Sequence, residues 1–174
     1  VVLLKVTGAG LIILSSGFLG LILSHIYQAR PAQLKALISG LKLLETEIVY
    51  ASTPLPQALG RIGERLEGIV KLLFLETATL LREEPGLPAA EAWEEGLKKL
   101  KEQGALHWQD LEILKALGQG LGVSGREDQV KNLELAREHL KRQLALAEEV
   151  AQRQGKMWRT LGFLLGVTLV LLMY

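Results

Sequence analysis

Apolar residues are spread along this 174-residue chain in two different ways. At the ends they run together. From Val6 to Ser24, and again from Thr160 to Tyr174, there is no Asp, Glu, Lys, Arg or His. Between these stretches they recur every three or four residues among charges, the pattern of helices with one buried face. No valine-rich alternation and no Asn-Gly hairpin signal occurs, so no strand is predicted. The fold class expected is all-α: about six helices in a central bundle, flanked by an apolar helix at each end.

The helices of the middle can be placed individually. Pro31 suits a first turn, and Leu34, Leu37, Ile38, Leu41, Leu44 and Ile48 predict an amphipathic helix ending near Tyr50. Glu45 and Glu47 are read as its solvated side. Thr53-Pro54 reads as the cap and first turn of a second helix with Leu55, Leu59, Ile62 and Leu66, weakened by Gly60 and Gly63. A third is expected from Ile69 to Arg82, followed by a turn from Glu84 to Pro88. A fourth runs to Gln103, with Ala89, Ala92, Trp93, Leu97 and Leu100 on one face, and closes at Gly104. A fifth, from Trp108 to Gln119, is expected to bury Leu111, Ile113, Leu114 and Leu117. Ser124-Gly125-Arg126-Glu127 matches a capping box that starts a sixth, with Val130, Leu133, Leu140, Leu144 and Val150 as its apolar face. No proline follows. An unbroken helix from Gly125 to Met173 would measure about 70 Å.

The apolar ends read as membrane spans. Val6 to Ser24 is roughly 28 Å of helix, close to the hydrocarbon thickness. A cleaved signal peptide is the competing reading; Lys5 would serve as its basic region, but Tyr27 at position −3 from Ala29 makes a poor cleavage site. Thr160 to Tyr174 is only about 22 Å, bracketed by Trp158 and Tyr174 as by interface aromatics; the competing reading is an apolar helix packed on the core. The domains expected are therefore 1–29, a membrane helix, 30–157, a helical domain, and 158–174, a second membrane helix. Arg30, Lys35 and Lys42 follow the first span, and Arg153, Lys156 and Arg159 precede the second. That places the middle in the cytoplasm and both termini outside, with Lys5 dissenting. Ser16 and Gly20, on a stripe from Gly8 to Ser24, and Gly162 with Gly166 are candidates for close helix packing in the membrane.

Composition sharpens this reading. With 39 leucines and a mean hydropathy of +0.24, the chain leans toward helix and membrane. All 19 acids lie between Glu45 and Glu149, and the net charge is +1, without the basic surplus of a nucleic-acid binder. The absence of cysteine excludes disulfides, thiolate metal sites and cysteine nucleophiles. Lys98, Lys99 and Lys101 sit among Glu91, Glu94, Glu95 and Glu102, a salt-paired face and not a phosphate patch. Gly120 to Gly125 spells G-x-G-x-x-G, but a helix and not a strand precedes it, so a helix end followed by a capping box explains it. His25, His107 and His139 have no helical partner for a metal, and Asp110 reads as a first-turn acid. No catalytic constellation emerges. The chain is read as non-enzymatic, with no cofactor and no metal. Glu45, Glu47, Arg126, Glu127 and Asp128 are the exposed charged candidates for binding a partner.

Several stretches together resemble the stage III sporulation protein AB family of endospore-forming bacteria. They are Arg30-Pro31 with Gln33-Leu34 and Ile38; Leu43-Leu44-Glu45-Thr46-Glu47-Ile48-Val49-Tyr50; Thr53-Pro54-Leu55-Pro56-Gln57-Ala58-Leu59; Glu91-Ala92-Trp93; Leu121-Gly122 to Gln129; and Lys156-Met157-Trp158-Arg159. The resemblance covers essentially the whole chain and departs at Gly118 to Gly122, where a third glycine loosens the loop. It implies a small relative of the F-type platform protein of type II secretion machines. The implied role is a membrane platform subunit of the sporulation channel between mother cell and forespore, in the forespore outer membrane. The implied partners are a secretion-type ATPase of the same operon and membrane and ring subunits of the channel; the apolar ends add the lipid bilayer, and the glycine stripes add further copies of the chain as a candidate contact. The alternative is a passive membrane scaffold without a motor partner.

Overall fold

The computed structural model describes residues 2–51, 53–123 and 125–173. Among them the chain is entirely helical, without a strand. The helices are α1 (Val2–Ile26), α2 (Ala29–Thr46), α3 (Leu55–Arg65), α4 (Lys71–Glu83), α5 (Ala89–Gln103), α6 (Trp108–Gly120) and α7 (Arg126–Met173). A π-helical segment, Glu47–Ala51, extends α2.

The chain divides into two compact units. The core unit is Ala32–Ala145; the terminal unit joins the chain up to Pro31 with Leu146 onward. Helix α7 belongs to both, for it runs 48 residues, about 13 turns, without interruption. The continuity that the lack of proline left open is therefore present. Packing divides this helix at Ala145, whereas hydropathy divides the sequence after Met157.

In the core unit, α3 packs on α4, α4 on α5 and α5 on α6. The leucines of the predicted faces fill the interior: Leu34, Leu37, Leu41 and Leu44 from α2, Leu59 from α3, Leu100 from α5, Leu114 from α6, Leu133 and Leu140 from α7. Each such burial stabilises by about 1.5–3 kcal/mol. Two aromatic rings sit among them. Phe74 meets Trp93 edge to face, 5.7 Å between centroids. The Trp93 indole also donates to the Leu114 carbonyl at 2.8 Å, so α5 is tied to α6 by a hydrogen bond as well as by area. Each ring rests on a glycine. A Cβ on Gly40 would come within 2.7 Å of Phe74, and one on Gly118 would overlap the Trp93 indole. These four residues connect α2, α4, α5 and α6.

Some local expectations need correction. Helix α2 does not continue as α-helix to Tyr50: it ends at Thr46, whose hydroxyl donates back to the Lys42 carbonyl, and the π-helical segment follows. Thr53 does not cap α3. Pro54 holds the cap position, and the Thr53 hydroxyl donates to Glu47 at 2.8 Å instead. Helix α4 starts at Lys71, two residues after Ile69, because Gly68 turns the chain with φ 70°. Leu111 and Ile113 are half-buried, the inner face of α6 being Leu114 and Leu117. Val150 is exposed, because Ala147 and Ala151 take the inner face there. The expected capping role of Ser124 lies outside the described residues. The glycine-rich segment is a helix-to-helix turn, with Gly122 at φ 77°. The lysine-rich face of α5 is salt-paired as expected: Lys98 to Glu95 at 2.6 Å, and Lys99 to Glu76 at 2.5 Å. The Glu95 carboxylate holds the Lys98 ammonium above its ordinary pKa.

Two helical glycines predict opposite outcomes on replacement by alanine. A Cβ on Gly60 would meet only ordinary contacts, at 3.5 Å or more, so Gly60→Ala gains helix propensity and stabilises by about 0.5–1 kcal/mol. A Cβ on Gly96 would lie 2.8 Å from the Leu73 backbone carbonyl, which cannot rotate away. Gly96→Ala is expected to destabilise by about 1–2 kcal/mol. Thermal melts of the full chain followed by circular dichroism distinguish the two signs.

Candidate functional site

Two places in the fold carry the residues singled out in the sequence. The first is a seam inside the terminal unit. On α7 the buried side passes through Ala147, Ala151, Gly155 and Gly166, with Gly162 and Trp158 half-buried along it. On α1 Ser16 and Ser24 are half-buried, as is Tyr27 just after it. The two helices meet closely at Gly155, where a Cβ would stand 2.8 Å from Ser24 Oγ and 3.8 Å from Ser24 Cβ. One turn on, Trp158 Nε1 points to the Tyr27 hydroxyl at 3.4 Å, too long for a strong hydrogen bond. Small side chains over five turns of helix permit this approach. Gly162 and Gly166 thus lie on the inner side of α7, and Ser16 on a half-buried position of α1. The surroundings of Gly20 are outside what the structure describes. Ala147, Ala151 and Gly155 extend the stripe beyond the residues expected; their four-residue spacing was visible, but it falls in a charged stretch.

The second place is the corner of the core unit where the π-helical segment, the start of α3 and the start of α7 converge. A groove of about 320 Å³ is lined there by Ile48, Thr53, Leu55, Ala58, Gly122, Arg126 and Gln129. Tyr50 and Val123 are both exposed nearby in sequence. Of the five charged candidates only Arg126 lines this groove. Glu127 and Asp128 are exposed on the first turn of α7. Glu47 accepts from Thr53 and lies 3.9 Å from Arg61. Glu45 pairs with Arg137 of α7 and accepts from Lys42 at 2.7 Å. Neither glutamate is on a freely solvated side as expected; both are half-buried, because α7 and α3 deliver bases to them across the packing. Arg137 was missed because its partner lies 92 positions away, and sequence spacing carries no such signal.

Chemistry of the enzymatic kind finds little support in this geometry. Asp110 is fully buried, but its carboxylate accepts the His107 backbone N–H at 2.9 Å and so fastens the start of α6. His25, His107 and His139 are exposed and far apart in the chain. Among the described residues no three His, Asp or Glu side chains cluster as a metal site would require. Also among them, α7 has the length and apolar stretch to cross a membrane.

A family model for stage III sporulation protein AB matches residues 5–174. The chain belongs to the stage III sporulation protein AB family. It is 37% identical over 172 residues to stage III sporulation protein AB of Bacillus subtilis (strain 168), a match that covers 98% of this chain and 99% of that protein. A solved structure of a stage III sporulation protein AB has the same fold, with a TM-score of 0.67 at 35% identity, and covers 71% of this chain and 97% of its own. The resemblance noted from the motifs is thus established over nearly the whole length. A family involved in sporulation, with a helical fold and one long apolar helix, is what these matches define.

The seam predicts a crosslink. The chain has no cysteine, so Ser24→Cys with Gly155→Cys gives a single pair whose Cβ separation, 3.8 Å, suits a disulfide. Mild oxidation is expected to close an intramolecular bridge in most molecules, read as a mobility shift reversed by reductant. A pair such as His25→Cys with Gly155→Cys, pointing elsewhere on α1, is expected to close far less.

Proposed function

We propose that this protein is a non-enzymatic platform subunit of the sporulation channel, anchored in the membrane by α1 and the apolar half of α7. In this reading the core unit lies in the cytoplasm and both termini lie on the other side. The core unit receives a secretion-type ATPase, and the anchors contact the membrane and ring subunits of the channel. The observation that carries the reading is the continuity of α7. Its first half packs in a charged helical unit, its second half is apolar, and no proline separates them. A stiff element of this kind can carry displacement from a motor-facing unit into the membrane-embedded part. A flexible linker would dissipate it.

The Arg30 and Arg153–Arg159 bases, at the inner ends of both apolar stretches, support the orientation. Glu127, Asp128 and Arg126, on the exposed first turn of α7 beside the groove, are the partner-facing residues in this proposal. Glu45 and Glu47 act there through their pairs with Arg137 and Thr53, shaping the corner.

The test is photo-crosslinking in sporulating cells from positions Tyr50, Val123 and Asp128. The ATPase is expected among the products. If membrane subunits are captured from other positions but the ATPase never is, the protein is a scaffold and has no motor partner. Gln154→Pro adds a second measurement. An interior proline costs a helix about 3 kcal/mol. The variant is expected to reach the membrane at normal levels yet lower sporulation by at least about tenfold.

A further inference from the structure

The terminal unit brings together two groups of residues that are remote in sequence. Tyr27, at the end of α1, stands beside Trp158 on α7, 131 positions later. At this level α7 presents Arg153, Lys156 and Arg159, all exposed. None of the three takes part in an ion pair among the described residues. The Arg159 Nε donates to the Gly155 carbonyl at 3.2 Å. No acid follows Glu149, and none precedes Glu45, so the bases at 153–159 have no carboxylate on the C-terminal side of α7 and none on α1. The nearest acids on α7 are Glu148, which is half-buried with a partner of its own, and Glu149, one turn before Arg153.

In the core unit Lys42, Lys98, Lys99, Lys115, Arg137 and Lys141 pair with glutamates. The set at 153–159 does not. It coincides with two aromatic side chains that carry a polar atom at one end and an apolar ring at the other, the chemistry of a bilayer interface. Unpaired cations held at that depth are positioned for phosphate oxygens carrying net negative charge.

We propose that Arg153, Lys156 and Arg159, at the level of Tyr27 and Trp158, form a binding site for the headgroup of an anionic phospholipid. The site deepens the membrane reading of α1 and α7 and rests on it. The guanidinium of Arg159 and the ammonium of Lys156 contact the phosphate, while the Trp158 ring packs beside the upper acyl chains. A zwitterionic lipid fits less well, since its own cation competes with the same bases.

The experiment uses the full chain reconstituted in phosphatidylcholine vesicles. Either brominated phosphatidylglycerol or brominated phosphatidylcholine is added at the same low mole fraction. Bromine quenches tryptophan at close range, and subtracting the signal of a Trp158→Phe variant isolates Trp158 from Trp93 and Trp108. Quenching by the brominated phosphatidylglycerol is expected to exceed that by the brominated phosphatidylcholine on the order of fivefold, about what one basic side chain near an anionic surface contributes. The combined Arg153→Gln, Lys156→Gln and Arg159→Gln variant is expected to abolish the difference while still floating with the vesicles. Added inorganic phosphate at millimolar concentration is expected to leave the preference intact. Equal quenching by the two lipids in the unmodified chain overturns the lipid site alone. Failure of the chain to float with vesicles of either composition overturns the membrane reading together with it.

Discussion

One continuous helix, α7, has to serve two kinds of neighbour, for it contributes to both units of the chain. Within the core unit α7 buries Leu133 and Leu140, side chains large enough to fill space between helices several ångströms apart. Beyond Ala145 it buries Ala147, Ala151, Gly155 and Gly166. The size of what it buries differs between the two stretches. Large residues draw on the hydrophobic effect, which needs water as the alternative environment. Small residues give close backbone approach, which is what remains useful where lipid is as apolar as the side chain.

The fold was legible because its helices are amphipathic and their ends are marked. Leu34, Leu37, Leu41 and Leu44, and later Leu133 and Leu140, were placed in the core by spacing alone. Gly104 ended its helix where a glycine should. Misplaced details have local causes. Thr53 looked like a cap, but a proline stood at the cap position and a glutamate six residues back took its hydroxyl. Val150 looked buried because apolar character was weighed and volume was not. The π-helical segment leaves no periodic trace over five residues.

The candidate sites were less legible, and for a different reason. Charge was visible, but pairing was not. Glu45 and Glu47 stood out as acids on a helix, and only the packing of α3 and α7 revealed that bases come to meet them. The same packing shows which bases are left over. Arg153, Lys156 and Arg159 were visible as bases just before the second apolar stretch. Their placement beside Tyr27 and Trp158 depends on a contact between helices at opposite ends of the chain.

The two rings at the centre of the core unit have a consequence for the family's sequence record. Phe74 occupies the space that a side chain at position 40 would need, and Trp93 the space that one at 118 would need. The size available at each glycine is therefore set by its ring. Among relatives, a residue larger than glycine at 118 implies something smaller than tryptophan at 93, and positions 40 and 74 are bound by the same exchange. Variation at these four positions is therefore expected to be correlated in volume, and an alignment of many relatives would carry the helix contacts as paired substitutions.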